Sequence, residues 1–133
     1  MNVYLSVLEA RALATACLTY LHVPFTRTKR PSMNPRLRNA LNDLEDRLSV
    51  SIKAARCAVS VGTPDSGIPV VLMSSGIDTS LLKNTVSAVL AEYAGDDATL
   101  SLLVADRAIV EAAIEKLAQC TSSGQSESRR LER

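Results

Sequence analysis

Aromatic residues are scarce in this chain of 133 residues: tryptophan is absent, phenylalanine occurs once and tyrosine three times. Apolar residues still make up 47% of the chain, which is enough for one core and excludes global disorder. That core must come from leucine, valine, isoleucine and many alanines. Small side chains such as alanine bury little area each, and burial of apolar surface stabilises the fold by about 25 cal/mol per Å². We therefore expect a modestly stable monomer, or one completed by neighbouring subunits.

The residues that catalysis and metal binding need are also few. The single histidine, His22, is the one ordinary candidate for a base, and no G-x-S-x-G motif occurs. Cys17 lies five residues earlier, about 140° away around a helix, so the two side chains do not converge on a metal. The glycines at 62 and 67 have P-loop spacing, but Ile68 and Pro69 follow where Lys and Ser or Thr are needed. We expect no enzyme activity, no metal and no cofactor.

Cysteine usage indicates the compartment. Cys17, Cys57 and Cys120 are odd in number and widely separated, which favours reduced thiols over a disulfide framework. No secretory n-region precedes the first predicted helix, and no apolar run is long enough to span a bilayer. We expect a cytoplasmic protein that makes no membrane contact, with Cys17 and Cys57 acting as small hydrophobes among apolar neighbours.

Charge is distributed very unevenly along the chain. Residues 10–42 contain no acid, and residues 10–56 carry nine basic against three acidic side chains, a net of +6. Residues 57–128 carry three basic against nine acidic, a net of −6, so the overall charge of +1 conceals two opposite regions. This distribution favours an anionic partner, or head-to-tail association of identical copies.

Two long helices are predicted in the basic region. Ser6 and Glu9 have the S-x-x-E spacing of a capping box, which predicts a helix over residues 7–22. Asn34 and Pro35 suit the cap and first position of a second helix over residues 35–61. Its apolar residues recur at steps of four and three, at Leu37, Leu41, Leu44, Leu48, Ile52, Ala55 and Val59. A break near Ser51, with a strand over 57–61, is the alternative.

The acidic region predicts two more helices, over residues 79–94 and 98–119, although 99–104 alone has the composition of a strand. In the second helix Leu102 belongs to a broad apolar face. Short β elements are expected at most around 1–5, 57–61 or 69–74. The predicted fold class is therefore mostly α, with about four helices packed as a compact bundle.

One domain accounts for the length of the chain. Residues 1–119 form a single helical domain in this interpretation, with a basic loop over 23–34 that contains Pro24 and Pro31. After Cys120 the sequence is polar, with only Leu131 apolar, which is typical of a tail over 120–133 that is flexible unless a partner holds it.

The basic loop and the start of the second helix form the candidate contact site. Phosphates bind to cationic side chains and to helix N-termini. Five cations fall within twelve residues here, namely Arg27, Lys29, Arg30, Arg36 and Arg38. The loop is too long for a helix-turn-helix, and Phe25 alone does not support base stacking. An acidic protein face or a solvated loop explains the same residues.

Two functions follow as expectations. The first is a non-catalytic helical assembly or adaptor protein that self-associates through apolar helix faces and opposite charges, forming a homo-oligomer or part of a larger particle such as a viral connector. The alternative is a small regulator that binds nucleic acid, or another phosphate-bearing anion, through residues 27–38.

Overall fold

Two short strands and five helices make up the residues that the computed structural model describes, which are 2–29, 35–64, 67–73, 79–117 and 119. In chain order these are β1 (Asn2–Ser6), α1 (Val7–His22), α2 (Pro35–Cys57), β2 (Pro69–Met73), α3 (Thr79–Glu92), α4 (Asp97–Leu103) and α5 (residues 107–117). The predicted mostly helical fold is confirmed, with five helices in place of about four. The predicted tail over 120–133, Arg30 and the predicted cap Asn34 lie outside the described residues.

The capping box fixes the start of α1. The Glu9 backbone N–H donates to Ser6 Oγ at 3.1 Å, and the Ser6 N–H donates to Glu9 Oε1 at 2.9 Å. Two of the backbone donors that a helix N-terminus leaves unpaired are thereby satisfied. Lys116 on α5 adds an ion pair to the same Glu9 oxygen at 2.6 Å, so this carboxylate also ties α5 to the start of α1.

Helix α1 lies at the centre of the fold and is buried on most of its circumference. It packs against both α2 and α3, and its N-terminal end adjoins the sheet. Leu13, Cys17 and Tyr20 are buried, and Leu21 packs partly buried against the core. Four alanines are buried beside them, at Ala10, Ala12, Ala14 and Ala16, where small side chains let the neighbouring helices approach closely.

The predicted stripe of α2 is its buried face. Leu41, Leu44, Leu48 and Ile52 are all in the core, and the helix continues through Ser51 without a break. It ends at Cys57, four residues before the predicted end, because the Ala58 N–H bonds back to the Ala55 carbonyl and a turn follows. The alternative strand over 57–61 is therefore wrong.

Strands β1 and β2 form a two-stranded antiparallel sheet in which Val3 lies opposite Leu72 and Tyr4 opposite Val71. Successive side chains point to opposite faces, so Val3 and Leu72 are buried while Tyr4 and Val71 are exposed. The short β elements predicted around 1–5 and 69–74 are both confirmed, whereas residues 99–104 form α4 and its C-cap.

The helix predicted over 98–119 is wrong as a single element, because the chain turns between α4 and α5. The Val104 N–H ends α4 on the Leu100 carbonyl, and the Asp106 carbonyl accepts the first bonds of α5 from Ile109 and Val110. Leu100 and Val110 are both fully buried. Ten residues separate them, which places them about 80° apart around a straight helix, and the turn allows both to face the core. Leu102, predicted on an apolar face, becomes exposed.

None of the helices within the described residues is long and apolar enough to cross a membrane.

Replacing Leu48 with alanine should lower the free energy of unfolding by about 2–5 kcal/mol, because the side chain is fully buried and a cavity would remain. Val50, two residues away and 69% exposed, provides the control: Val50→Ala should change stability by no more than about 0.5 kcal/mol. Urea denaturation measures both. Equal effects of the two substitutions would contradict the assignment of the buried face.

Candidate functional site

The structure describes four of the five predicted contact residues, and they lie in two parts of the chain. Arg27 and Lys29 are exposed in the segment after α1, and Arg36 and Arg38 are exposed at the start of α2. The fifth, Arg30, lies outside the described residues. Arg27 does not simply project into solvent, because its guanidinium forms an ion pair with Asp96 at 3.2 Å.

A single carboxylate anchors the segment that contains Arg27. Glu92 Oε1 accepts the backbone N–H groups of Arg27 at 2.9 Å and Thr28 at 2.8 Å, and Glu92 Oε2 accepts that of Thr26 at 2.7 Å. The Thr28 hydroxyl donates to the same Oε1 atom at 3.2 Å. Glu92 is the last residue of α3 and only 2% exposed, so the segment is fixed to the end of that helix.

These contacts favour the charged forms of both acids. Burial alone would raise the pKa of Glu92, but the backbone hydrogen bonds from residues 26–28 outweigh it and hold the pKa below the ordinary value of 4.5. Hydrogen bonds from Thr99, with the nearby charge of Arg27, lower the pKa of Asp96. Both carboxylates are therefore ionised at neutral pH.

The anchor changes the interpretation of the charged regions. Backbone donors that could have held a phosphate already bind Glu92, and Arg27 from the basic region meets Asp96 from the acidic region within one chain. Sequence reasoning missed Glu92, because one acid at the end of an amphipathic helix is usually solvated. The absence of acids near the basic loop is a signal that the loop needs a carboxylate from elsewhere in the chain.

An open groove between α1 and α2 is a second candidate contact surface. It has a volume of about 390 Å³, and we call it the basic groove. Its apolar part includes Ala14, Ile52 and Leu18, the last of which is 39% exposed. Three cations line it against one acid, namely Arg11, Lys53 and Arg56 against Glu45.

The spacing of residues in the sequence contains a signal for this groove. Arg11, Thr15 and Leu18 follow the spacing of one helix face and are exposed or half-buried, and the buried Ala14 lies on the same face of α1. The α2 side is a similar strip, comprising Glu45, Ser49, Ile52, Lys53, Arg56 and Cys57. Arg11 is the only arginine or lysine of α1, and it lies on the side that faces the groove.

A second concavity, of about 470 Å³, lies beside the sheet and is more open to solvent. Tyr4, Ile68 and Pro69 supply its apolar part. Its charged residues are Glu9 and Lys116, which already pair with each other. This concavity therefore offers no excess of charge to a partner.

The turn between α4 and α5 exposes an apolar side chain on the acidic half of the chain. Leu102 is 87% exposed there. Arg107 braces the turn, since its Nε donates to Asp97 at 2.9 Å and its Nη2 to the Tyr93 carbonyl at 3.1 Å. Ser101 Oγ donates to Asp106 Oδ1 at 2.6 Å, closing the turn from the other side. We call residues 101–107 the Leu102 corner.

The two described cysteines, Cys17 and Cys57, have different surroundings. Burial, with a smaller contribution from the charge of Glu45, raises the pKa of Cys17 to about 12, so this thiol stays protonated at neutral pH. Cys57, also predicted to act as a small hydrophobe among apolar neighbours, is exposed at the C-terminal end of α2. Within the described ranges, no group of three or more His, Cys, Asp or Glu side chains is placed to hold a metal ion.

Comparison of the chain with protein-family models, with curated proteins and with solved structures finds no match.

Substituting Glu92 by glutamine should release residues 26–28, because an amide has one acceptor oxygen and cannot replace two carboxylate oxygens. At pH 7 we expect faster hydrogen exchange at the Thr26, Arg27 and Thr28 amides and a lower Tm. A carboxyl group whose pKa is lowered in the folded protein stabilises the fold fully at a pH above its ordinary pKa. This stabilisation is lost as the pH falls below the ordinary pKa and through the lowered one. The Tm difference between parent and variant should therefore shrink as the pH falls below 4.5.

Glu111→Gln, on an exposed position of α5, is the matched control and should leave amide exchange at 26–28 unchanged. Unchanged exchange in Glu92→Gln, or a Tm difference that is equal at pH 7 and pH 3, would contradict the anchor.

Proposed function

We propose that this protein is a non-catalytic helical assembly or adaptor protein that acts through self-association and contact with other proteins. The observation that carries the proposal is the basic groove, which combines an apolar floor with an excess of positive charge on an open surface. An apolar centre with a charged surround is the usual anatomy of a protein–protein contact. A cytoplasmic particle built from many copies, such as a viral connector, is one setting for such a subunit.

The composition of the core supports association. The largest fully buried side chains are leucines and valines, and alanines fill much of the centre, so each buried residue contributes little area. Apolar side chains that remain exposed can add to the buried area when copies meet. The overall charge of +1 also opposes association only weakly, because net repulsion between copies is small.

Sedimentation of the purified protein at high concentration should reveal species larger than a monomer at low salt. These species should weaken as salt rises, because the screening length falls from about 10 Å at 0.1 M to about 3 Å at 1 M. Species of the same size and strength at both salt concentrations would indicate an apolar contact without the proposed charge contribution. A strict monomer in both buffers would contradict self-association.

Binding of nucleic acid or another phosphate-bearing anion is the second candidate. It is favoured by Lys29, Arg36 and Arg38, which are exposed, and by the position of the two arginines in the first turns of α2, where no acid balances the helix dipole. The backbone donors of residues 26–28 weaken this candidate, since Glu92 already occupies them.

Changing Lys29, Arg36 and Arg38 together to serine separates the two candidates while leaving Arg27 and its contact with Asp96 in place. If these residues bind duplex DNA, the logarithm of the parent's binding constant should fall with the logarithm of the salt concentration, at a slope of about −0.9 per phosphate contact. The triple change should then remove up to about three contacts from this slope. Lys83→Ser, at an exposed position of α3, is the control. We expect no DNA or RNA binding by the parent at physiological salt, and tight salt-sensitive binding would overturn the first proposal.

A further inference from the structure

We infer that the basic groove of one copy receives the Leu102 corner of a second copy, so that self-association is head-to-tail. This inference rests on the proposed self-association and names the two surfaces that make it. The groove is lined by α1 and α2 residues alone, whereas the corner joins α4 to α5. The two surfaces therefore share no residue.

The Leu102 corner presents an exposed apolar side chain on a rigid support. Leu102 is 87% exposed, although a leucine of the acidic half would be expected in the core. Arg107 and Asp106 hold the turn beneath it through hydrogen bonds to Asp97, to the Tyr93 carbonyl and to Ser101. Leu102 lies in the last turn of α4, and a side chain on a helix end held by hydrogen bonds loses little conformational freedom when it binds, which favours its use as an anchor. The groove offers Leu18 and Ile52 as apolar contacts for it.

The charges of the two surfaces are complementary. The groove carries three cations and one acid, a net of +2. Residues 95–117, which contain the corner and α5, carry five acids and two bases, a net of −3. Asp106, Glu111 and Glu115 are exposed in this region. Opposite potentials on two contacting surfaces speed their encounter and fix their relative orientation.

Charge also determines the symmetry of the contact. A two-fold contact between two grooves would place Lys53 and the two arginines of one copy against the same cations of the other, which is repulsive. A groove-to-corner contact avoids this repulsion. A row of copies joined in this way keeps one free groove at one end and one free corner at the other. Such heterologous contacts close into a ring or grow into a filament, depending on the rotation between copies.

The test uses two variants, each of which disables one surface. Leu102→Lys removes the anchor and places a positive charge against the groove; it should not disturb the fold, because Leu102 is exposed and a cation suits the C-terminal end of α4. Leu18→Ser combined with Lys53→Glu disables the groove, and Lys53→Glu alone serves if the double variant folds poorly. Val50→Lys, an exposed apolar position outside the groove lining, is the matched control. Circular dichroism melting curves check the fold of each.

We expect each disabled variant to lose the larger species that the parent forms, while Val50→Lys retains them. Mixed in equal amounts, the two disabled variants should form a 1:1 dimer that grows no further, because one intact corner meets one intact groove. Assembly of either variant like the parent, or no dimer on mixing, would overturn the inference and leave self-association intact. A parent that is monomeric at high concentration would instead overturn the proposed function itself, and this inference with it.

Discussion

Burial of α1 on nearly every side is the constraint on which the rest of the structure depends. α2 and α3 reach it closely because many of its inward positions are alanine. A helix surrounded in this way needs its first turn satisfied from within the protein, which Ser6 and Glu9 do through the capping box. The strip containing Arg11 and Leu18 is left uncovered, so the position of the basic groove follows from how the core is covered.

Long-range polar contacts then fix the segments that apolar packing leaves loose. Glu92 holds residues 26–28, Arg107 holds the turn before α5, and Lys116 holds the start of α1. Glu9 and Glu92 are buried, and a buried carboxylate is tolerated where hydrogen bonds satisfy its oxygens. Hydrogen bonds outweigh burial at both acids and lower the pKa of each. Part of the charge asymmetry of the chain is therefore used inside one molecule.

Local signals explain which parts of the fold the sequence predicts. The capping box and the leucine stripe of α2 are contained within one element each, so α1 and the buried face of α2 are predicted correctly. The turn at Val104 depends on contacts of Arg107 with α3 and α4, which no local pattern contains. Glu92 was missed for the same reason, since its partners lie 64 or more residues away. The groove can be predicted only in part from the sequence. Its strips are periodic, but only the packing shows which strip stays uncovered.

The remaining charge asymmetry favours contact between molecules. The basic half of the chain builds α1, α2 and the groove between them, and the acidic half builds α3, α4 and α5. Arg27 with Asp96 and Lys116 with Glu9 pair the two halves within one molecule, at residues outside the groove lining. Three cations and one acid line the groove, whereas Asp106, Glu111 and Glu115 are exposed in the half that contains Leu102, and the overall charge stays at +1. Two oppositely charged surfaces on one molecule attract their counterparts on another copy in one orientation and repel them in the reverse one, so in the self-association that we propose charge favours a polar arrangement of subunits.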